Sequence, residues 1–264
     1  MNTEKKMSFL DTGAGMPVLL GHSYLFDHTM WQPQIPTLSK HYRIIAPDLW
    51  GHGKSPALPA RSTSMVDLAR DHLRLMDSLG IDRFTVVGLS VGGMWGAELA
   101  ALAPDRVNGL MLFDTYLGSE TDEKEQQYSA MLDAVYAAGR INSPLLEYIA
   151  SQFYSKYAIK SDFENLLMHL SRLTTNNLRE SIVPIGKMIF GRPDRKEILS
   201  TITCPALVAT GELDMPRPPT EGALMAELMS CRFIEIPNAG HISNREQPKS
   251  VTQIVSEFLA QIKP

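Results

Sequence analysis

The apolar positions of the chain fall into two alternating patterns, short continuous runs and longer stretches with helical spacing. Residues 7–12, followed by Gly13-Ala14-Gly15, read as a strand and turn, and residues 17–20 as a buried strand that ends at Gly21-His22-Ser23-Tyr24. Residues 30–38 predict a short helix broken by Pro33 and Pro36, and 42–46 a third strand closed by Pro47-Asp48 and the turn Gly51-His52-Gly53. A strong helix follows. Ser64 caps it, Met65, Leu68, Ala69, Leu73, Met76 and Leu79 repeat at helical spacing, Asp67 sits in the first turn, and Gly80 closes it. Next come a strand over Phe84–Leu89, a helical pattern over 94–102 and a strand over Val107–Phe113.

Between residues 116 and 193 the alternation stops, and roughly four amphipathic helical segments replace it, with apolar sets such as Tyr128/Met131/Leu132/Val135 and Phe163/Leu166/Leu167/Leu170. A stretch that long without a strand signal buries its apolar faces best as a helical cap over the C-terminal edge of a sheet. Alternation resumes with a strand over 206–209, a helix after Pro218-Pro219, a strand over 233–236 and a final helix after Pro248. The pattern predicts an α/β fold with a mostly parallel sheet and helices on both faces. Its core is expected from residues 1–115 and 194–264, and its all-helical cap from 116–193.

One strand exit carries chemistry. Gly88-Leu89-Ser90-Val91-Gly92 lies between a β-branched run and a helix, the context that puts a serine on a sharp, strained turn where Cβ atoms at 88 and 92 would collide with backbone. A serine hydroxyl needs a base within reach and an acid to orient that base. Downstream, Asp214 follows one late strand and His241 the last, so Ser90, Asp214 and His241 project from the same sheet edge as nucleophile, acid and base. Asp114, which also ends a strand, is the rival acid, and Glu212 the third choice. His28, His41, His72 and His169 read as surface or helix-face residues, and His22 and His52 as residues of turns on the active side. Two backbone N–H groups should face a developing oxyanion, that of Val91 and that of Tyr24 in the loop after strand 17–20.

Composition narrows the partners. With 264 residues, 44% hydrophobic and 20% charged, the chain can bury a substantial core, and its net charge of -4 with a pI near 6.0 argues against nucleic acid or an anionic membrane surface. The polar residues 1–6, with no apolar segment after them, predict neither a secretory signal nor a membrane span, so the expected location is cytoplasmic. Cys204 and Cys231 are not in a Cys-x-x-Cys pair and are expected to be reduced core residues. With no HExxH and no Cys/His cluster, no metal is expected and catalysis is expected to be cofactor-free.

On these residues the sequence resembles the α/β-hydrolase superfamily, in its capped bacterial esterase, enol-lactonase and cofactor-free haloperoxidase-like branch. The similarity runs over nearly the whole chain. It includes His22-Ser23 nine positions before Trp31, Asp48-Leu49-Trp50-Gly51-His52-Gly53-Lys54-Ser55, Gly88-Leu89-Ser90-Val91-Gly92-Gly93, Gly211-Glu212-Leu213-Asp214 and Gly240-His241. The resemblance implies an eight-stranded sheet and the roles given above for Ser90, Asp214, His241, Val91 and Tyr24. Two departures bear on it. The family's His-Gly is His22-Ser23 here, which touches the backbone geometry at Tyr24; and only six residues precede the first strand, so the first edge strand is expected to be missing and about seven strands to remain. Ser90 also separates the chain from members resembling haloalkane dehalogenases and epoxide hydrolases, which carry aspartate there.

Substrate choice belongs to the cap and adjoining loops, where Tyr24, Met94, Tyr116, Phe153, Tyr154, Met168, Met215 and Ile242 are candidates to line an apolar cavity. The sequence shows no paired arginines that would suit a multiply charged substrate. The reading is hydrolysis of a small to medium, largely apolar ester or lactone through an acyl-enzyme. Carbon–carbon bond hydrolysis of a diketone-like substrate and a low-turnover ligand receptor are the alternatives. Nothing in the sequence indicates the oligomeric state.

Overall fold

A computed structural model describes residues 6–263. Strands β1 (Phe9–Thr12), β2 (Pro17–Gly21), β3 (Arg43–Pro47), β4 (Phe84–Leu89), β5 (Val107–Phe113), β6 (Ala206–Gly211) and β7 (Arg232–Ile236) form one seven-stranded sheet in the order β1-β3-β2-β4-β5-β6-β7. Only β1 runs antiparallel to its neighbour. The mostly parallel sheet is thus as predicted. The expected loss of a further edge strand concerns residues 1–5, which lie outside the described residues.

Helices cover both faces because each parallel connection must cross back over the sheet. In chain order they are α1 (Ile35–Leu38), α2 (Met65–Ser78), α3 (Val91–Leu102), α4 (Asp122–Ala138), α5 (Leu145–Phe153), α6 (Lys160–Ser171), α7 (Thr175–Asn177), α8 (Val183–Phe190), α9 (Pro219–Leu228), α10 (Ser243–Glu246) and α11 (Pro248–Leu259). The helix expected over 30–38 is divided at Pro33 into a 3-10 turn, His28–Trp31, and the single turn α1. Ser64 caps α2 as its sequence position predicts, its Oγ accepting from the Asp67 N–H at 3.2 Å. Helices α4 to α8 all fall between β5 and β6, with a π-helical turn, Leu178–Ile182, joining α7 to α8.

The core is densest at the middle of the sheet. Every residue of β4 and β5 is buried, and Trp31, Trp50 and Trp95 are fully enclosed around them. Truncating one such side chain to alanine typically costs about 3–5 kcal/mol. The Trp50 indole N–H donates to buried Asp71 at 2.7 Å, and His72, one residue on, stacks on Trp95 with ring centroids 3.7 Å apart. His72 is therefore a core residue on the inner face of α2, while Cys204 and Cys231 are half-buried free thiols rather than core.

Burial lowers the pKa of His22, His52 and His72, to about 3 for His52, where the neighbouring His22 adds to it, and to about 4 for His72. A histidine held neutral in the folded chain takes up a proton only on unfolding. Its contribution is therefore whole above the ordinary value of 6.5 and is lost as pH falls towards the folded value. Replacing His72 with phenylalanine keeps the stack on Trp95 and removes one titration. Urea unfolding between pH 6.5 and pH 4 should then show a pH slope shallower than wild type, by up to about 1.4 kcal/mol per pH unit near the middle of that range.

Candidate active site

The six parallel strands β2 to β7 deliver their exits to one edge, and the turn after β4 is under strain. Ser90 follows the last residue of β4 and precedes the first of α3 with φ 57° and ψ -120°, a conformation costly for any residue with a side chain. Added Cβ atoms at Gly88 and at Gly92 would fall inside contact distance of the carbonyl oxygens of Gly92 and Gly21, so the turn closes only with glycine there. Its geometry is fixed from outside as well. The Ser90 N–H donates to the Phe113 carbonyl at 2.9 Å, and the Thr115 hydroxyl to the Ser90 carbonyl at 2.7 Å.

The three residues read from separate strand exits meet here. The Ser90 hydroxyl donates to Nε2 of His241 at 2.9 Å, and the His241 Nδ1–H donates to both oxygens of Asp214 at 2.9 and 3.0 Å. All three are buried. Asp214 is held in turn by the Arg217 N–H at 3.0 Å. The two rival acids are used elsewhere. Asp114 accepts from the Gly211 N–H at 2.8 Å and the Ser243 hydroxyl at 2.5 Å, and burial, with the nearby Asp214 charge, pushes its pKa well above the ordinary carboxylate range. Glu212 accepts the Asn238 N–H at 2.9 Å and so shapes the loop that carries His241.

Above Ser90 lies an apolar cavity of about 110 Å³. Tyr24, Met94 and Phe153 line it with Ser90 and His241, as the sequence suggested. Five other candidates do not. Met168 and Met215 are 42% and 72% exposed, so they face solvent. Tyr116 lies beneath the Lys196 ammonium, 5.5 Å from its ring centroid, and Tyr154 packs against Phe26 in a neighbouring groove with Asp162 and Arg245. Ile242 is wholly buried behind His241. The walls come instead from Met131, Leu132 and Val135 of α4, Ile149 of α5, and Ile182, Val183 and Ile189 near α8. The α4 set is visible in the sequence as an apolar helix face, but periodicity alone does not tell a face against a cavity from one against a core.

Comparison with known proteins agrees with this architecture. The family model described as alpha/beta hydrolase fold matches residues 16–248. The chain belongs to that family. It is similar to 3-oxoadipate enol-lactonase 1 of Acinetobacter baylyi, with 28% identity over 249 residues, 93% of this chain and 89% of that one. It is equally similar to a pimeloyl-[acyl-carrier protein] methyl ester esterase of Legionella pneumophila, 28% identical over 254 residues, 94% of this chain and 96% of the relative. Among solved structures, a thermophilic esterase from Thermogutta terrifontis superposes with a TM-score of 0.84 at 31% identity, covering 97% of this chain and 93% of that one.

As an α/β-hydrolase the chain is a hydrolytic enzyme, and no helix among its described residues is long and apolar enough to cross a membrane. One feature of this hydrolase escapes sequence reading. Arg192 and Arg217, far apart in the chain, converge on Glu120: Arg192 donates to its carboxylate at 2.8 Å and Arg217 makes a shorter contact, all three side chains being at most 4% exposed. Burial opposes the charge on Glu120, but Arg217 and then Arg192 overcome it and lower its pKa. Arg217 thus reaches the cavity wall with its charge already met, and the same residue's N–H orients Asp214.

A second cluster, Asp27, His28 and Asp48, has its ligand atoms within 4.8 Å of one another. Those atoms serve the turn itself, because Asp48 accepts from the His28 backbone and ring at 2.9 and 2.7 Å and Asp27 from the Thr29 N–H at 2.8 Å. Replacing Glu120 with alanine leaves two buried guanidinium groups without their carboxylate. Urea unfolding at pH 7 should show a loss of about 3–5 kcal/mol.

Proposed function

We propose that the enzyme hydrolyses a small, largely apolar carboxylic ester or lactone through an acyl-enzyme on Ser90. The observation that carries this reading is the unbroken hydrogen-bonded line from Asp214 through His241 to the Ser90 hydroxyl, opening into an apolar cavity. Asp214 holds His241 with Nδ1 protonated, so Nε2 is free to take the proton as Ser90 Oγ bonds to the substrate carbonyl carbon. The resulting oxyanion faces the backbone N–H of Val91, the first residue of α3, where no intrahelical acceptor competes. Tyr24 supplies the second donor from the loop after β2. His241 then gives its proton to the leaving oxygen, and water, activated by the same imidazole, releases the acid and restores Ser90.

The cavity supports a limit on substrate size and charge. An engineered apolar cavity of about 150 Å³ accepts benzene, so one of about 110 Å³ suits an acyl group of a few carbons. Arg217, the cation on its wall, is paired with Glu120. A dicarboxylate such as the 3-oxoadipate named for one relative would meet no unpaired Lys or Arg among the described residues of this wall.

Steady-state hydrolysis of p-nitrophenyl esters from acetate to decanoate tests the reading. Turnover should peak near butyrate, and Ser90→Ala or His241→Ala should each lower kcat by about 10⁴-fold or more. Unchanged ester hydrolysis by Ser90→Ala would overturn it.

A further inference from the structure

Tyr24 carries the proposed second oxyanion donor on its backbone, and its side chain is unusually committed. The phenol O–H donates to the carbonyl of Ile182 at 2.7 Å, and both residues are buried. Its ring stands edge-on to His52 and to Phe190 of α8, with centroids 5.7 and 6.3 Å away. In α8 a Cβ added at Gly186 would lie 2.7 Å from the phenol oxygen, so the helix approaches Tyr24 as closely as glycine allows. The next residue, Leu25, has φ 67°. A leucine in that region persists only when its surroundings hold it there.

Ile182 is equally particular. It ends the π-helical turn Leu178–Ile182, in which the Val183 N–H reaches back to the Leu178 carbonyl, and Pro184 follows with no N–H to give. The segment is moored to the core at two further points. The Asn177 amide donates to the Gly51 carbonyl at 2.6 Å, and the Leu58 N–H donates to Ser181 Oγ at 3.1 Å. The widened turn therefore sits on the loops of the sheet edge and presents one carbonyl to the phenol of the residue whose N–H faces the reaction.

We infer that the Tyr24 side chain and the π-helical turn Leu178–Ile182 form a positioning device for the second oxyanion donor, so that the helices above the sheet complete the hole. Tyr24 is a positioning residue through its phenol and a donor through its backbone. The helical segment acts on the chemistry by holding that backbone, in addition to enclosing the acyl group. This inference rests on the acyl-enzyme reading, and the two can fail separately.

The test is Tyr24→Phe, which keeps the ring and deletes the one hydrogen bond. With p-nitrophenyl butyrate, kcat should fall about tenfold while KM stays within about twofold, because only the transition state places charge at the donor. Affinity for butaneboronic acid, whose tetrahedral adduct on serine presents a hydroxyl to the same donors, should weaken by the same factor. A side chain that served only stability would lower the melting temperature and leave kcat and boronate affinity together at wild-type values. Asn177→Ala, which removes the bond mooring the π-helical turn to the Gly51 carbonyl and leaves the cavity wall untouched, should give the same signature. It decides the matter if Tyr24→Phe does not fold. Wild-type kcat and boronate affinity in the folded variant overturn the inference. If Ser90→Ala is inactive beside a wild-type-like Tyr24→Phe, this inference alone is lost; if Ser90→Ala is fully active, the acyl-enzyme reading goes with it.

Discussion

The close approach of three backbone segments at the centre of the sheet is the constraint on which the structure turns. Gly88 in β4, Gly92 in α3 and Gly21 at the end of β2 touch without side chains between them, and the contact forces Ser90 to φ 57°. Such a conformation costs about 1–3 kcal/mol and must be imposed by its surroundings. Here the surroundings are the most deeply buried part of the molecule, two wholly buried strands and the Trp95 side chain. The strain sets the hydroxyl of Ser90 at the sheet edge, within 2.9 Å of His241.

A second set of contacts makes the helices between β5 and β6 part of the site. The Ile242 N–H, beside His241, donates to the Phe153 carbonyl at the end of α5 at 3.2 Å. Glu246 accepts the Ser155 N–H at 3.2 Å and the Gly240 N–H at 3.0 Å, joining the same segment to the histidine loop. Glu120 ties the chain entering α4 to the chain leaving α8 through Arg192, and both to the acid loop through Arg217. These are buried or half-buried polar contacts, in which removing one partner is costlier than the net gain of making the pair.

Much of this was legible because the signals were local. Ser90, Asp214 and His241 each follow a strand whose apolar run is plain in the sequence, and their convergence follows from the parallel strands delivering their exits to one edge. The choice between Asp214 and Asp114 could not be settled that way, since both leave adjacent strands. It depends on Ser243 and the Gly211 N–H occupying Asp114, which are contacts across the fold. The cavity wall was the weakest reading for the same reason. Met215 and Met168 have the chemistry of wall residues, but helix and loop orientation turns them to solvent. The Glu120–Arg192–Arg217 cluster has no sequence signature, because its members are brought together only by helices closing over the sheet.

Acylation of Ser90 is tested most directly by acid-quenched mass spectrometry of the intact chain during turnover of p-nitrophenyl butyrate, followed by peptide mapping. One butyryl group per chain is expected, on the peptide that contains Ser90, appearing before the steady state and vanishing as substrate is exhausted. Turnover with no adduct on that peptide, or with the acyl group on another residue, would contradict it.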